Sequence, residues 1–174
     1  MCEKDLQSSI NSSSKKAQHW VLICYGNILR SQVLEQFLRH YSALWNLNII
    51  FYSAGIAKQE EFPNTNELLE EVRQELHKRD ILCSLRRNAW SKEVEERIIT
   101  SDIVICADNE VRTKALERMN LRISKEKVYT FYEYISEGEI DFQDTYDYEN
   151  NRQDPKRFRN AFDELDRIAR KILS

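Results

Sequence analysis

The sequence predicts a single α/β domain, in which a buried parallel sheet is covered by helices on both faces. Two features of the 174-residue chain indicate this fold class. Short, almost continuous apolar runs rich in β-branched residues recur along it, as is typical of parallel strands that are buried on both faces. Amphipathic helical patterns separate these runs, and strands that alternate with helices favour right-handed crossovers and a three-layer domain.

The apolar pattern places the elements in order along the chain. Four predicted strands lie at 21–23, 49–52, 103–105 and 128–131. The predicted helices, each with apolar residues on one face, extend over 34–45, 68–76 and 158–172. Residues 132–153, named here the acidic segment, are polar, contain four tyrosines and show no helical stripe. A loop of this length inside a domain is either functional or simply mobile, and the sequence leaves both readings open.

Composition excludes several classes of protein. The longest apolar runs have about five residues, too few to cross a bilayer. A net charge of −3 argues against non-specific binding of nucleic acid. The four cysteines and three histidines lack the spacing of a metal site, so neither a metal nor another cofactor is expected. Residues 1–18 are polar without a signal-peptide core, which predicts a flexible extension before a domain at 19–174 in a cytoplasmic chain with free thiols.

Residues 24–31, with the sequence CYGNILRS, carry the chemistry and are named here the phosphate cup. They follow the first predicted strand directly and open into a helix, and ligands of open α/β sheets bind at such strand ends. The amides of this loop and the unpaired amides of the helix N-terminus can together surround one anion. Gly26 and Asn27 are residue types that tolerate the left-handed backbone angles of a tight cradle.

Three side chains of the phosphate cup have the chemistry of phosphoryl transfer. Cys24 lies at the floor, where a positive field favours the nucleophilic thiolate. Arg30 offers a planar fork that matches two oxygens of a phosphate. Ser31 can donate a hydrogen bond to the thiolate. A cysteine at a strand end is otherwise usually a small core residue, so the interpretation depends on the whole segment.

The pattern C-x-G-N-x-x-R-S at a strand–helix junction resembles the low-molecular-weight protein tyrosine phosphatase family, which also includes arsenate reductases and protein arginine phosphatases. Over residues 19–174, three further segments are similar to family motifs in the family's order: YSAG at 52–55, DIVICAD at 102–108 and DP at 154–155. The resemblance implies a four-stranded sheet in the order 2-1-3-4. It also implies hydrolysis of a phosphorylated protein, most of all at phosphotyrosine, by a monomer or weak dimer.

The resemblance also assigns roles to residues. Cys24 would attack phosphorus and form a cysteinyl-phosphate, and Arg30 would hold the phosphoryl oxygens. Ser53, together with Asn27 and Ser31, would support the loop. The amides that would bind the phosphate belong to Tyr25, Gly26, Asn27, Ile28, Leu29 and Arg30.

Asp154 has two possible roles. By resemblance it is the general acid that protonates the leaving oxygen, and it would act as the base when water hydrolyses the cysteinyl-phosphate. An acid just before a helix is also a common N-cap. If Asp154 only caps the helix, the acid is to be sought among Asp141, Asp144 and Asp147 of the acidic segment.

Departures from the family pattern sharpen the expectation. Leu29 stands where the family usually has a second cysteine, so a local disulfide switch is not expected. Gln32 replaces the usual proline, and Leu85 replaces a histidine that helps to hold the loop asparagine. Ile28 favours a tyrosine-type pocket, because arginine phosphatases tend to have a threonine there.

Two alternatives remain at this stage. An arsenate reductase of the same fold needs two further cysteines to relay a disulfide; Cys106 matches the first, but no cysteine lies near 113. A catalytically silent phosphoprotein-binding module is the alternative from a different class. Turnover of an aryl phosphate distinguishes that module from an enzyme.

Overall fold

Four parallel strands form the central sheet of the computed structural model, which describes residues 16–120, 122–138 and 140–174. Residues 1–15 of the predicted extension lie outside the described residues, so that assignment stays a prediction. The strands are β1 Gln18–Cys24, β2 Ile49–Gly55, β3 Ile103–Cys106 and β4 Val128–Thr130. Their order is β2-β1-β3-β4, and every neighbouring pair is parallel, which confirms the predicted topology.

Helices cover both faces of the sheet. They are α1 Arg30–Leu44, α2 Thr65–His77, α3 Lys92–Thr100, α4 Asn109–Met119, α5 Phe131–Tyr134 and α6 Pro155–Leu173. The apolar stripes of α1, α2 and α6 form a core on one face, and those of α3 and α4 pack on the other. Within the described residues no helix is long and apolar enough to span a membrane. Trp45, predicted to continue the α1 stripe, instead follows the helix and is largely exposed.

Alternation along β1 determines which side chains reach each core. Leu22 and Cys24 face the core under α1 and α6, whereas Ile23 faces the opposite core. Cys106, the register partner of Ile23 on β3, lies in that opposite core. The sheet therefore separates the thiols of Cys24 and Cys106.

The acidic segment is structured over the residues that are described. It begins in the short helix α5 and ends in a hairpin of β5 Tyr146–Asp147 and β6 Arg152–Gln153. Aromatic rings attach the hairpin to the rest of the domain: the Tyr146 ring lies 5.2 Å from that of Phe62, centroid to centroid. This hairpin lies beside the carboxyl end of β1, where the phosphate cup begins.

Candidate active site

The backbone of the phosphate cup turns tightly between β1 and α1. Asn27 has a φ of 53°, the left-handed conformation predicted for it. Gly26 does not adopt positive φ, contrary to expectation, and is needed for another reason. A Cβ at Gly26 would lie 2.8 Å from Cζ of Phe62, so the missing side chain lets that ring pack against the loop.

Two hydrogen bonds converge on the thiol of Cys24, which is buried. The amide of Asn27 donates to Sγ at 3.2 Å, and Oγ of Ser31 lies 3.0 Å from Sγ. Because Ser31 Oγ already accepts from Nδ2 of Asn27 at 2.9 Å, its own proton is free to point at the sulfur. The cup therefore presents two hydrogen-bond donors to the sulfur of Cys24.

The side chain of Asn27 is held without the family's histidine. Its Nδ2 also donates to Ser53 Oγ at 3.0 Å, and Ser53 donates in turn to the buried carboxylate of Glu35 at 2.5 Å. Its Oδ1 accepts from the amide of Asn88 at 2.7 Å. Gln32, which follows the cup on α1, holds the segment that contains Asn88: its Nε2 donates to the carbonyl of Arg86 at 2.6 Å. The replacement at Leu85 thus leaves Asn27 fixed through other partners.

Arg30 lies at the start of α1 with its guanidinium between two carboxylates. Nη1 donates to Asp108 Oδ2 at 2.6 Å, and Nη2 donates to Asp144 Oδ2 at 2.9 Å. Burial disfavours the cation, but the charges of Asp144, Cys24 and Asp108 outweigh it and raise the pKa of Arg30. Arg30 is therefore a fixed positive charge beside the thiol, with Asp144 on the face that a phosphate would use.

Arg87 supports the cup from outside, and sequence reasoning missed it. Its buried guanidinium donates to the carbonyl of Gly26 at 2.7 Å and to that of Lys58 at 2.7 Å, and it lies 5.0 Å from the ring centre of Phe62. Burial lowers its pKa from the usual value. Segment 86–90 shows no motif, so the sequence carries no signal for this role.

A small cavity lies above Cys24, and the hairpin of the acidic segment covers it. Its free volume is about 20 Å³, close to that of one water site. Arg30 and Asp144 contribute charged groups to it, and Gln153 contributes an amide. The other lining residues are mostly apolar or aromatic: Gly26, Ile28, Leu29, Phe62, Thr145, Tyr146 and Tyr148.

Asp154 is not brought to this cavity. Its Oδ1 accepts from the amides of Lys156 at 3.0 Å and Arg157 at 2.8 Å, so the side chain caps α6. It lines a separate groove at the start of that helix. Of its two predicted roles, the structure shows the N-cap: an aspartate followed by proline at the first helical position is a helix start here. Its role as general acid stays a prediction. Asp144, ten residues earlier, reaches the phosphate cup.

The other two cysteines among the described residues, Cys83 and Cys106, lie away from the cup. Cys106 is fully buried in the opposite core, and burial raises the pKa of its thiol above the usual value. Cys83 is half-buried in the segment after α2, where burial also raises its pKa. Within the described part of the chain, no group of three or more potential ligands is arranged to hold a metal ion.

A thiol at the floor of an anion cup, at the carboxyl end of a parallel strand, defines a class of phosphate-handling α/β proteins. Comparison identifies the family within it. Residues 19–174 match the family model described as low molecular weight phosphotyrosine protein phosphatase, so the chain belongs to this family of phosphatases. No curated protein sequence matches the chain.

Solved structures with the same fold include both tyrosine and arginine phosphatases. A low molecular weight phosphotyrosine phosphatase from Vibrio cholerae O395 has a TM-score of 0.73 at 19% identity, over 90% of this chain and 95% of that one. The YwlE arginine phosphatase from Geobacillus stearothermophilus has 0.68 at 20% identity, over 89% and 90%. The Drosophila arginine phosphatase DARP has 0.62 at 18% identity, over 88% and 94%. At these identities the likeness establishes the fold alone.

Proposed function

We propose that this protein hydrolyses phosphomonoesters through a cysteinyl-phosphate on Cys24, with phosphotyrosine in proteins as the substrate. One observation carries the proposal: the Cys24 sulfur lies at the floor of the cup with donors from Asn27 and Ser31, beside the buried guanidinium of Arg30. A nucleophile, an anion site and a fixed positive charge thus share one cavity. This is what phosphoryl transfer requires of a protein.

In the first step, the substrate phosphate takes the place of the Asp144 carboxylate on Arg30. The free volume of the cavity is close to that of one water site, so the acidic segment must shift as the substrate enters. The Cys24 thiolate then attacks phosphorus in line, the P–S bond forms and the ester P–O bond breaks. Arg30 and the amides of residues 25–30 stabilise the charge on the phosphoryl oxygens.

Asp144 is proposed as the general acid in place of Asp154. Its carboxylate lies at the cavity, within 2.9 Å of Arg30, and also accepts from the Tyr148 hydroxyl at 3.1 Å. Once the phosphate has displaced it from Arg30, the Asp144 carboxylate can take up a proton from solvent at the cavity mouth and then deliver that proton to the leaving oxygen. In the second step the same carboxylate takes a proton from the attacking water.

Aromatic lining favours phosphotyrosine. The rings of Phe62, Tyr146 and Tyr148 surround the mouth, and Tyr146 and Tyr148 lie edge to face at 4.9 Å. Such rings offer stacking surface to an aromatic leaving group. Ile28 adds an apolar wall where arginine phosphatases tend to place a threonine. A cytoplasmic location fits this proposal, since the nucleophile must stay reduced.

The arsenate reductase alternative is weakened by the position of Cys106. A relayed disulfide needs the second sulfur within bonding reach of the first, with Cα atoms roughly 4.4–6.8 Å apart and side chains that point towards each other. The two thiols instead lie on opposite faces of the sheet. The Cys106 side chain would have to leave its core before it could react with Cys24.

The direct test is a side-by-side turnover assay with phosphotyrosyl peptide, phosphoarginyl peptide, p-nitrophenyl phosphate and arsenate with a thiol reductant. We expect hydrolysis of the two aryl phosphates, and the higher kcat/KM on phosphotyrosyl than on phosphoarginyl peptide. Preference for phosphoarginine would contradict the proposed substrate but would leave the proposed cysteinyl-phosphate mechanism in place. Tight binding of phosphopeptide with no turnover of any substrate would instead identify a silent binding module.

A further inference from the structure

Gln153 is a buried amide in the candidate active site that the mechanism above does not use. It is the last residue of β6, where it is the register partner of Tyr146 on β5. The residue is only 7% exposed, and it lines the same cavity as Cys24, Arg30 and Asp144. The amide of the next residue, Asp154, donates to the carbonyl of Thr145 at 2.8 Å and fixes the end of the hairpin.

The side-chain oxygen of Gln153 has no hydrogen-bond partner among the described residues. A buried oxygen without a donor destabilises a fold by about 1–3 kcal/mol, so each such atom calls for a reason, such as a catalytic role or a bound water. Two other buried side-chain atoms in the described part of the chain share this condition, Asn64 Oδ1 and Arg79 Nε. Neither residue lines the cavity, so of these three residues only Gln153 belongs to the candidate active site.

The chemistry of the orphaned atom restricts what can pair with it. An amide oxygen accepts hydrogen bonds and donates none. Phosphoryl oxygens and an ester oxygen are also acceptors, so they do not match it. Water has two O–H donors, so it can donate to the Gln153 oxygen and to a second acceptor at once. Of the species in the proposed reaction, the attacking water is therefore the one that fits Gln153.

We propose that Gln153 positions the water that hydrolyses the cysteinyl-phosphate, an inference that rests on the proposed function. The water oxygen attacks phosphorus opposite the sulfur, so that a P–O bond forms while the P–S bond breaks. Sulfur leaves with the bonding pair as the Cys24 thiolate. One water proton passes to Asp144, and the other stays on the product phosphate. Gln153 Oε1 accepts a hydrogen bond from that second O–H and directs the oxygen lone pair at phosphorus.

Rapid mixing with p-nitrophenyl phosphate separates the two steps. Release of nitrophenolate in the first turnover reports formation of the P–S bond, and the steady-state rate includes its hydrolysis. We expect Gln153→Met, which keeps the volume and removes the acceptor, to preserve the first-turnover rate. Its steady-state rate should fall about 10- to 100-fold, the size typical of a misplaced reactant. Acid quenching should then trap close to one phosphate per enzyme on Cys24.

Arg152→Ala is the matched control, because Arg152 is the exposed neighbour of Gln153 on β6. It should leave both phases unchanged. Gln153→Ala should behave as Gln153→Met does, which separates the missing oxygen from any effect of methionine. Equal slowing of both phases, or wild-type steady-state turnover in Gln153→Met, would overturn the inference. Absence of nitrophenolate release by the wild-type enzyme and by Gln153→Met alike would instead overturn the proposed function itself.

Discussion

The phosphate cup and the acidic segment meet at one cavity, but they are held in different ways. In the cup, Asn27 is tied to Ser31, Ser53 and Asn88, and Arg87 holds the carbonyl of Gly26. The polar contact of the acidic segment with the cup is made chiefly through the Asp144 carboxylate on Arg30. The loop that carries the proposed nucleophile is thus fixed by a network, whereas one ion pair joins the proposed acid to the cup.

The cup and the acidic segment also differ in the exposure of their charged side chains. The side chain of Arg30 is 4% exposed, and that of Asp144 is 33% exposed. Rings of Tyr146 and Tyr148, and not further ion pairs, hold the hairpin against Phe62. The hairpin can therefore shift when a phosphate competes with Asp144 for Arg30, while the cup stays in place. We therefore expect substitutions in the cup to abolish phosphoryl transfer, and substitutions in the acidic segment to alter proton transfer to the leaving group.

The largest effect is expected at the nucleophile. Cys24→Ser replaces the thiolate with a hydroxyl that the same field cannot ionise, so turnover should fall by at least about 10,000-fold. Binding of inorganic phosphate should persist, because Arg30 and the amides remain, and calorimetry can measure it. A serine variant with a tenth of wild-type turnover would show that Cys24 is not the nucleophile.

The next largest effect is expected at Arg30. Arg30→Lys keeps the charge but loses the planar pair of donors that now reaches both Asp108 and Asp144. We expect kcat/KM on p-nitrophenyl phosphate to fall about 100- to 1,000-fold, nearly as far as in Arg30→Ala. Near-normal activity of the lysine variant would mean that Arg30 acts through charge alone.

A moderate effect is expected where the cup is supported from outside. Arg87→Met removes the donors that pair with the carbonyls of Gly26 and Lys58, and should lower the free energy of unfolding by about 1–3 kcal/mol. The KM for aryl phosphate should rise because the cup loosens. Arg86→Met, at the exposed neighbouring position, is the control and should stay within about 0.5 kcal/mol. Equal unfolding midpoints for the two variants would show that Arg87 does not stabilise the cup.

The smallest effect is expected at Cys106. Its thiol lies in the opposite core with a raised pKa, so it supplies no thiolate to the cup. Cys106→Ala should therefore leave phosphatase turnover unchanged, apart from a small loss of stability. Loss of a thiol-dependent arsenate activity in this variant, if the wild-type protein shows one, would restore the relay that the sheet geometry argues against.

The sequence predicts the phosphate cup better than it predicts the acidic segment. The left-handed Asn27 and the meeting of Cys24 with Ser31 and Arg30 follow from one contiguous motif at a strand end, and the strand order follows from the resemblance to the family. The sequence could not decide between Asp154 and Asp144 as the acid, because both precede the last helix and the sequence does not show which side chain reaches the cavity. Arg87 and Gln153 act through contacts distant in sequence, so no local pattern reveals them.

The central claim is that Asp144, and not Asp154, gives the proton to the leaving group. The two aspartates provide a matched pair of variants, since asparagine keeps the size of each side chain. Asp154→Asn should leave rate and stability unchanged, because asparagine caps a helix as well as aspartate does. Asp144→Asn should bind inorganic phosphate at least as tightly as the wild type, because its carboxylate no longer competes for Arg30.

The measurement is kcat for phenyl phosphate and for p-nitrophenyl phosphate in both variants. We expect Asp144→Asn to lose about 100- to 10,000-fold on phenyl phosphate, whose leaving oxygen needs a proton, and much less on p-nitrophenyl phosphate. We expect Asp154→Asn to match the wild type on both. The opposite result, with the leaving-group-dependent loss in Asp154→Asn and none in Asp144→Asn, would contradict the account.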